Sequence, residues 1–83
     1  MTDQELKIFT PARYRIQVQG YLDPSWSDRL SGMSITTAGQ ADETPVSTLV
    51  GRVLDQAALM GVLDTLYNYY RCPLLSIEYL GSA

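Results

Sequence analysis

The side chains most often recruited for acid–base chemistry and metal binding are nearly missing from this chain. It has no histidine and a single cysteine, Cys72. That removes the commonest proton shuttle and the nitrogen and sulfur ligands on which zinc and other transition metals depend. A nucleophilic thiolate needs a base or a cation beside it, and Arg71 on a continuing helix points elsewhere, so Cys72 is expected to be a small buried hydrophobe. Ser25, Ser27 and Ser34 have no histidine to activate them. Gly32, Gly39, Gly51 and Gly61 show no phosphate-cradling spacing. The carboxylates Asp23, Asp28, Asp42, Glu43, Asp55, Asp64 and Glu78 read as caps, loop and solvent groups. Asp23 and Asp28 make a weak pair across a short helix, and Asp42-Glu43 lacks the ligand spacing of a dedicated Ca²⁺ loop. The residues therefore predict no enzyme, no cofactor and no metal.

What the chain has in surplus is tyrosine: Tyr14, Tyr21, Tyr67, Tyr69, Tyr70 and Tyr79. Three crowd the end of one stretch, residues 53–80, which reads as helix, tight turn and strand. Asp55 is placed to cap the helix. Leu59, Val62, Leu63, Leu66 and Tyr70 recur at helical spacing and form its inner face. Pro73 stops it, because Cys72 before a proline is pushed out of the α region. The outer face carries Ala57, Gly61, Asp64, Thr65 and Asn68. Gly61 costs roughly 1 kcal/mol in a helix interior. With Ala57 it forms a shallow notch where a second backbone can approach, flanked by Met60 and Tyr67. A partner contact and an ordinary solvated face stand at even odds here, since single exposed apolar residues are common.

These elements must be set on a sheet. Residues 12–21 alternate, with Tyr14, Ile16 and Val18 to one side and Arg13, Arg15, Gln17 and Gln19 to the other, which predicts a half-buried strand. Asp23-Pro24 is a helix-start signal for a short helix over 24–30 carrying Trp26 and Leu30 on one face. Residues 33–37 and 46–53 predict a hairpin joined by a turn-rich loop, with Gly51 marking a bulge or close approach. Residues 74–80 (LLSIEYL) alternate as a last strand, with Leu75, Ile77 and Tyr79 inward beneath the long helix. Arg13 and Arg15 beside Glu78 read as a solvated ion-pair ladder on the outer sheet face. The resulting expectation is an α+β fold, a small two-layer sandwich. Its four-stranded, mixed or mostly antiparallel sheet (β-β-β-α-β, short helix after the first strand) adds the last strand beside strand one, in the preferred order 3-2-1-4, or beside strand three. In that arrangement the last strand runs parallel to the first and third, and one long helix covers one face. Residues 1–11 are expected to be a flexible tail, 12–80 the single domain and 81–83 a short C-terminal tail.

Eighty-three residues make one domain with a modest stability margin. The net charge is −3 with scattered cations, Lys7, Arg13, Arg15, Arg29, Arg52 and Arg71, which disfavours nucleic acid and anionic membrane. No apolar run is long enough for a membrane span, no signal-peptide pattern opens the chain, and one cysteine allows no internal disulfide. A cytoplasmic location is the simplest expectation.

Two runs have a familiar look. Gly20-Tyr21-Leu22-Asp23 is followed by Trp26, and Asp55-Gln56-Ala57-Ala58-Leu59-Met60-Gly61 is followed by Pro73-Leu74-Leu75-Ser76. Together they resemble a family of small, uncharacterised bacterial proteins with a G-H-L-D-x-x-W run and a later D-Q-A-A-L-H-G-x-L … P-L-L-S-V run, over roughly residues 13–80. The resemblance implies a shared fold and no particular activity. Tyr21 and Met60 stand where relatives often have histidine, so histidine chemistry in relatives would not extend to this chain.

The first functional expectation is a non-enzymatic protein–protein interaction or adaptor module that binds another protein or itself as a homodimer. Its surface is Ala57, Met60, Gly61, Asp64 and Tyr67. The alternative is a small-ligand-binding regulatory domain with a pocket near Trp26. A further reading is an adaptor that pairs through the last strand, whose LLSIEYL is a sticky edge if exposed.

Overall fold

The computed structural model describes residues 10–39 and 43–82. The expected N-terminal tail therefore lies outside the described residues over 1–9, as does Asp42 in the loop. The elements are β1 (Ala12–Gln19), a 3₁₀ helix η1 (Pro24–Leu30), β2 (Ser34–Ala38), β3 (Val46–Val53), α1 (Gln56–Asn68) and β4 (Leu74–Ser82). The expected α+β class holds: one four-stranded antiparallel sheet, one α-helix and the 3₁₀ helix. β4 continues to Ser82, two residues into the expected C-terminal tail.

Local chemistry sets the element ends. Asp23 caps η1, its side chain accepting from the Ser25 N–H, with Pro24 in the first helical position. Asp55 caps α1 by accepting from the Ala58 N–H at 2.8 Å. At the other end of α1, Arg71 takes a left-handed φ of 58°. The chain folds back so that the Cys72 N–H donates to the Leu66 carbonyl at 3.0 Å, and Pro73 bars any return to helix. Gly51 is a close approach and not a bulge: a Cβ there would meet the Met33 Cα at 3.1 Å, while its register with Tyr14 is regular.

The strand order is β2-β3-β1-β4, which corrects the expected 3-2-1-4. β1 pairs with β3 and β4, and β2 pairs with β3 alone; every pair is antiparallel. β1 and β2 therefore run the same way with β3 inserted between them. β3 and β4 run the same way with β1 between them, so β4 is antiparallel to β1 and not parallel as expected. The reason is the connection after β1. Residues 20–33 include a full helix, long enough to step over a neighbouring strand, so a direct hairpin to β2 is not forced. The expected β2–β3 hairpin is present. This interleaving of two split β-helix-β units is the ferredoxin-like topology, with η1 in place of the first long helix.

The core joins Ala12, Tyr14, Ile16 and Val18 of β1 to Leu22, Leu30, Met33, Ile35, Leu49, Val53, Leu59, Val62, Leu66 and Cys72. Trp26, Leu63 and Tyr70 pack against it, half-buried. No residue of β4 belongs to it. The expected burial of Leu75, Ile77 and Tyr79 beneath the helix is thereby overturned: all three are exposed, by 52%, 41% and 40%. α1 packs against β3 and η1. A helix about 10 Å across covers roughly two strands spaced about 4.8 Å apart. With only a short 3₁₀ helix over the β2 side, α1 is drawn toward it, and β4 lies outside its cover.

Candidate functional site

β4 is the structural anomaly. Each of its residues is exposed except Gly81, which is half-buried. Leu74, Leu75, Ile77, Tyr79 and Leu80 are all among the exposed large hydrophobics. The strand is held by its ladder to β1, by the Tyr14–Tyr79 ring contact at 5.8 Å, by a Ser76–Gln17 hydrogen bond and by the Arg15–Glu78 ion pair at 2.6 Å. The ion pair is open to water and stabilises little. Arg13 stands opposite Gly81, beside the pair and not in it.

Facing follows from the register. Opposed residues share a face, so Ile77 opposite Ile16 and Tyr79 opposite Tyr14 lie on the core side of the sheet. Ser76 and Glu78, opposite Gln17 and Arg15, lie on the polar side. The ladder slips at two places, between Arg13 and Tyr14 and between Gln17 and Val18. Leu80 and Leu75 are the extra residues there, and between them residues 76–79 run in unbroken register with β1.

The backbone of this edge can also be assigned. The Gln19 N–H donates to Pro73 O at 2.8 Å, towards β4, and the Gly20 N–H donates to Pro45 O at 2.7 Å, towards β3. Backbone groups alternate along a strand, so the odd-numbered residues of β1 address β4. Arg15–Glu78 and Gln17–Ser76 are then the hydrogen-bonded pairs, and Ile77 and Tyr79 turn their N–H and C=O outward from the sheet. Among the described residues β4 thus presents outward backbone groups flanked by apolar side chains. The other edge, β2, is shorter and exposes Ser34 and Thr36.

The five residues expected to form an interaction surface on α1 are all exposed: Ala57, Met60, Gly61, Asp64 and Tyr67. A Cβ on Gly61 would meet nothing within 4 Å. Asp64 accepts from the Asn68 side chain. Tyr67 also lines a groove of about 450 Å³ with Asn68, Arg71, Cys72 and Pro73, at the end of α1 next to the start of β4. Trp26 does not line this groove. It stacks on Tyr70 at 4.8 Å and meets Tyr21 edge-on at 6.3 Å, fastening η1 to α1. The Tyr70 hydroxyl is buried without a well-formed hydrogen bond; Tyr70 and then Tyr69 stabilise the nearby exposed Arg29 guanidinium and raise its pKa. Cys72 is buried, and desolvation pushes its thiol pKa up, opposite to what a reactive thiolate needs.

Sequence reasoning missed the buried hub at Ser47. Its hydroxyl accepts from the Leu22 N–H at 3.0 Å, donates to the Gly20 carbonyl at 2.6 Å and meets the Thr37 hydroxyl at 2.8 Å. It ties the turn leaving β1 to β3 and β2. A serine on the core side of an alternating strand was the available signal.

Among the described residues, no group of three or more His, Cys, Asp or Glu side chains is placed to hold a metal ion, and no helix is long and apolar enough to cross a membrane. No curated protein and no solved structure matches the chain. A family model does match, over residues 13–78, from the start of β1 through most of β4. That span takes in both crossovers and the pairing of β4 with β1, and on it the chain belongs to the family described as a domain of unknown function, DUF8691.

Proposed function

We propose that this domain is a non-enzymatic protein–protein interaction module that docks a partner strand along β4. One observation carries the reading: an edge strand of nine residues with five exposed large hydrophobics and outward backbone groups. Native sheets usually blunt such an edge with lysine, proline or a covering helix. β4 has Glu78 as its only charge, already matched by Arg15, and no proline. An open apolar edge of this kind suits strand addition, in which main-chain hydrogen bonds give affinity and alternate side chains give specificity. The outer face of α1 is the rival surface, with Met60 and Tyr67 exposed by 58% and 72%.

Site-specific photo-crosslinking in cells separates the two surfaces. A photoreactive residue replacing Leu75 should give one discrete protein adduct, whereas the same residue replacing Thr36 or Ala57 should give none. Adducts at Ala57 with none at Leu75 would move the docking surface to the helix. No adduct at any position would end the interaction reading.

A further inference from the structure

The geometry points to a second copy of this chain as the occupant of β4, joined by antiparallel β4–β4 pairing about a two-fold axis at Ile77. The inference rests on the docking reading above and names its partner. In a two-fold antiparallel pair, residue i of one copy faces residue j of the other with i + j constant. An odd sum would set inner-face residues against outer-face ones, which the pleat forbids. The unbroken stretch between the two register slips, residues 76–79, therefore leaves two central registers, one centred on Ile77 and one on Glu78.

Charge decides between them. Centring on Glu78 sets two carboxylates opposite each other as a non-hydrogen-bonded pair, the closer kind, with Cα atoms about 4.5 Å apart. Centring on Ile77 sets Ser76 against Glu78 of the second copy, and each Glu78 keeps its own Arg15. On the other face Ile77 meets Ile77, apolar against apolar. Because Ile77 turns its N–H and C=O outward, the central pair exchanges two backbone hydrogen bonds. The strips that α1 leaves uncovered in each copy come together, and the sheet continues as β2-β3-β1-β4-β4-β1-β3-β2. Such a contact is isologous and closes on itself, which removes the aggregation hazard of an open edge.

Sedimentation velocity on the purified full chain tests this, with Ile77→Pro as the main variant. Proline at 77 deletes only an outward N–H, so every β1–β4 hydrogen bond keeps its donor, and unchanged circular dichroism and Trp26 fluorescence verify the fold. The wild type should sediment at twice the 9.2 kDa chain mass. Two lost hydrogen bonds at about 1 kcal/mol each predict association at least about thirtyfold weaker in the variant. Met60→Glu on the outer helix face should remain dimeric. In a Cys72→Ala background, Ile77→Cys should cross-link to itself on mild oxidation, since hydrogen-bonded pairs lie about 5.5 Å apart, within disulfide range. Glu78→Cys should not.

A wild type monomeric at its highest soluble concentration overturns the self-pairing, as does a dimer that survives a folded Ile77→Pro or one that Met60→Glu abolishes. Self-cross-linking of Glu78→Cys in place of Ile77→Cys overturns the register. A monomer that still gives a discrete adduct from position 75 in cells refutes self-pairing alone and leaves the docking reading standing. A monomer with no adduct removes both.

Discussion

Ser47→Ala removes one oxygen from the buried hub that fastens three strands, and its cost can be worked bond by bond. The fully buried Ser47 hydroxyl is the acceptor for the Leu22 N–H and the donor to the Gly20 carbonyl. Alanine leaves the Leu22 N–H without its acceptor in a dry site, a loss of about 1–3 kcal/mol for an unsatisfied buried group. The Gly20 carbonyl is half-buried and retains some access to water, so its share is smaller, about 0.5–1 kcal/mol. Thr37 loses Ser47 but keeps the Leu22 carbonyl as an acceptor at 3.2 Å, which adds little. The sum is about 1.5–4 kcal/mol, against a total of roughly 4–12 kcal/mol for a domain of this length. A loss of that size lowers Tm by roughly 10–25 °C. Urea and thermal unfolding, followed by Trp26 fluorescence and circular dichroism, read it directly. Thr37→Val is the paired control. It spares both Ser47 bonds to the turn and should cost about 1 kcal/mol. A loss below about 0.5 kcal/mol for Ser47→Ala, or an equal cost for Thr37→Val, would show that Ser47 is not the hub of this network.

Two glycines should respond with opposite signs. Gly51→Ala drives a Cβ to within 3.1 Å of the Met33 backbone and should cost about 1–3 kcal/mol by overpacking. Gly61→Ala meets open space on a helix and should stabilise by up to about 1 kcal/mol; equal signs in chemical denaturation would contradict the packing described at Gly51. The Asp23 carboxylate has its pKa lowered chiefly by the Ser25 backbone N–H, then by the Ser25 side chain and Tyr21. A depressed folded-state pKa means that the cap's contribution is fully present above the ordinary value of 3.8 and is lost as pH falls through the lower folded value. Asp23→Ala should therefore destabilise near neutrality and converge on wild type in strong acid, a trend that melts at stepped pH would reveal. Cys72, buried with a raised pKa, should react with a thiol reagent in the native state far more slowly than in denaturant; equal rates would show the thiol to be accessible.

The local elements were legible because their signals are local. Period-2 alternation found β1. Asp23-Pro24 and Asp55 marked both helix starts, and Leu59, Val62 and Leu66 gave the buried stripe of α1 from spacing alone. Of the outer-face residues read on α1, Ala57, Gly61, Asp64 and Asn68 are exposed, since a helix has only one inner side, and Thr65 is half-buried. Alternation also set Leu75, Ile77 and Tyr79 on the core side of the sheet; the register agrees for Ile77 and Tyr79, while Leu74, opposite Val18, takes that side and Leu75 is the unpaired residue of the slip. What the sequence determined by itself was thus which residues share a face and where each helix begins. Tertiary structure alone decided what covers that face. Strand order depends on which long-range pairs form, and the connection after β1 is compatible with more than one neighbour, so 3-2-1-4 and β2-β3-β1-β4 were not separable from the sequence pattern. Burial then depends on how far two helices can spread over four strands. The 3₁₀ helix is too short to cover its half, α1 packs toward it against β3, and a strand patterned for a core stands at the open edge of the sheet.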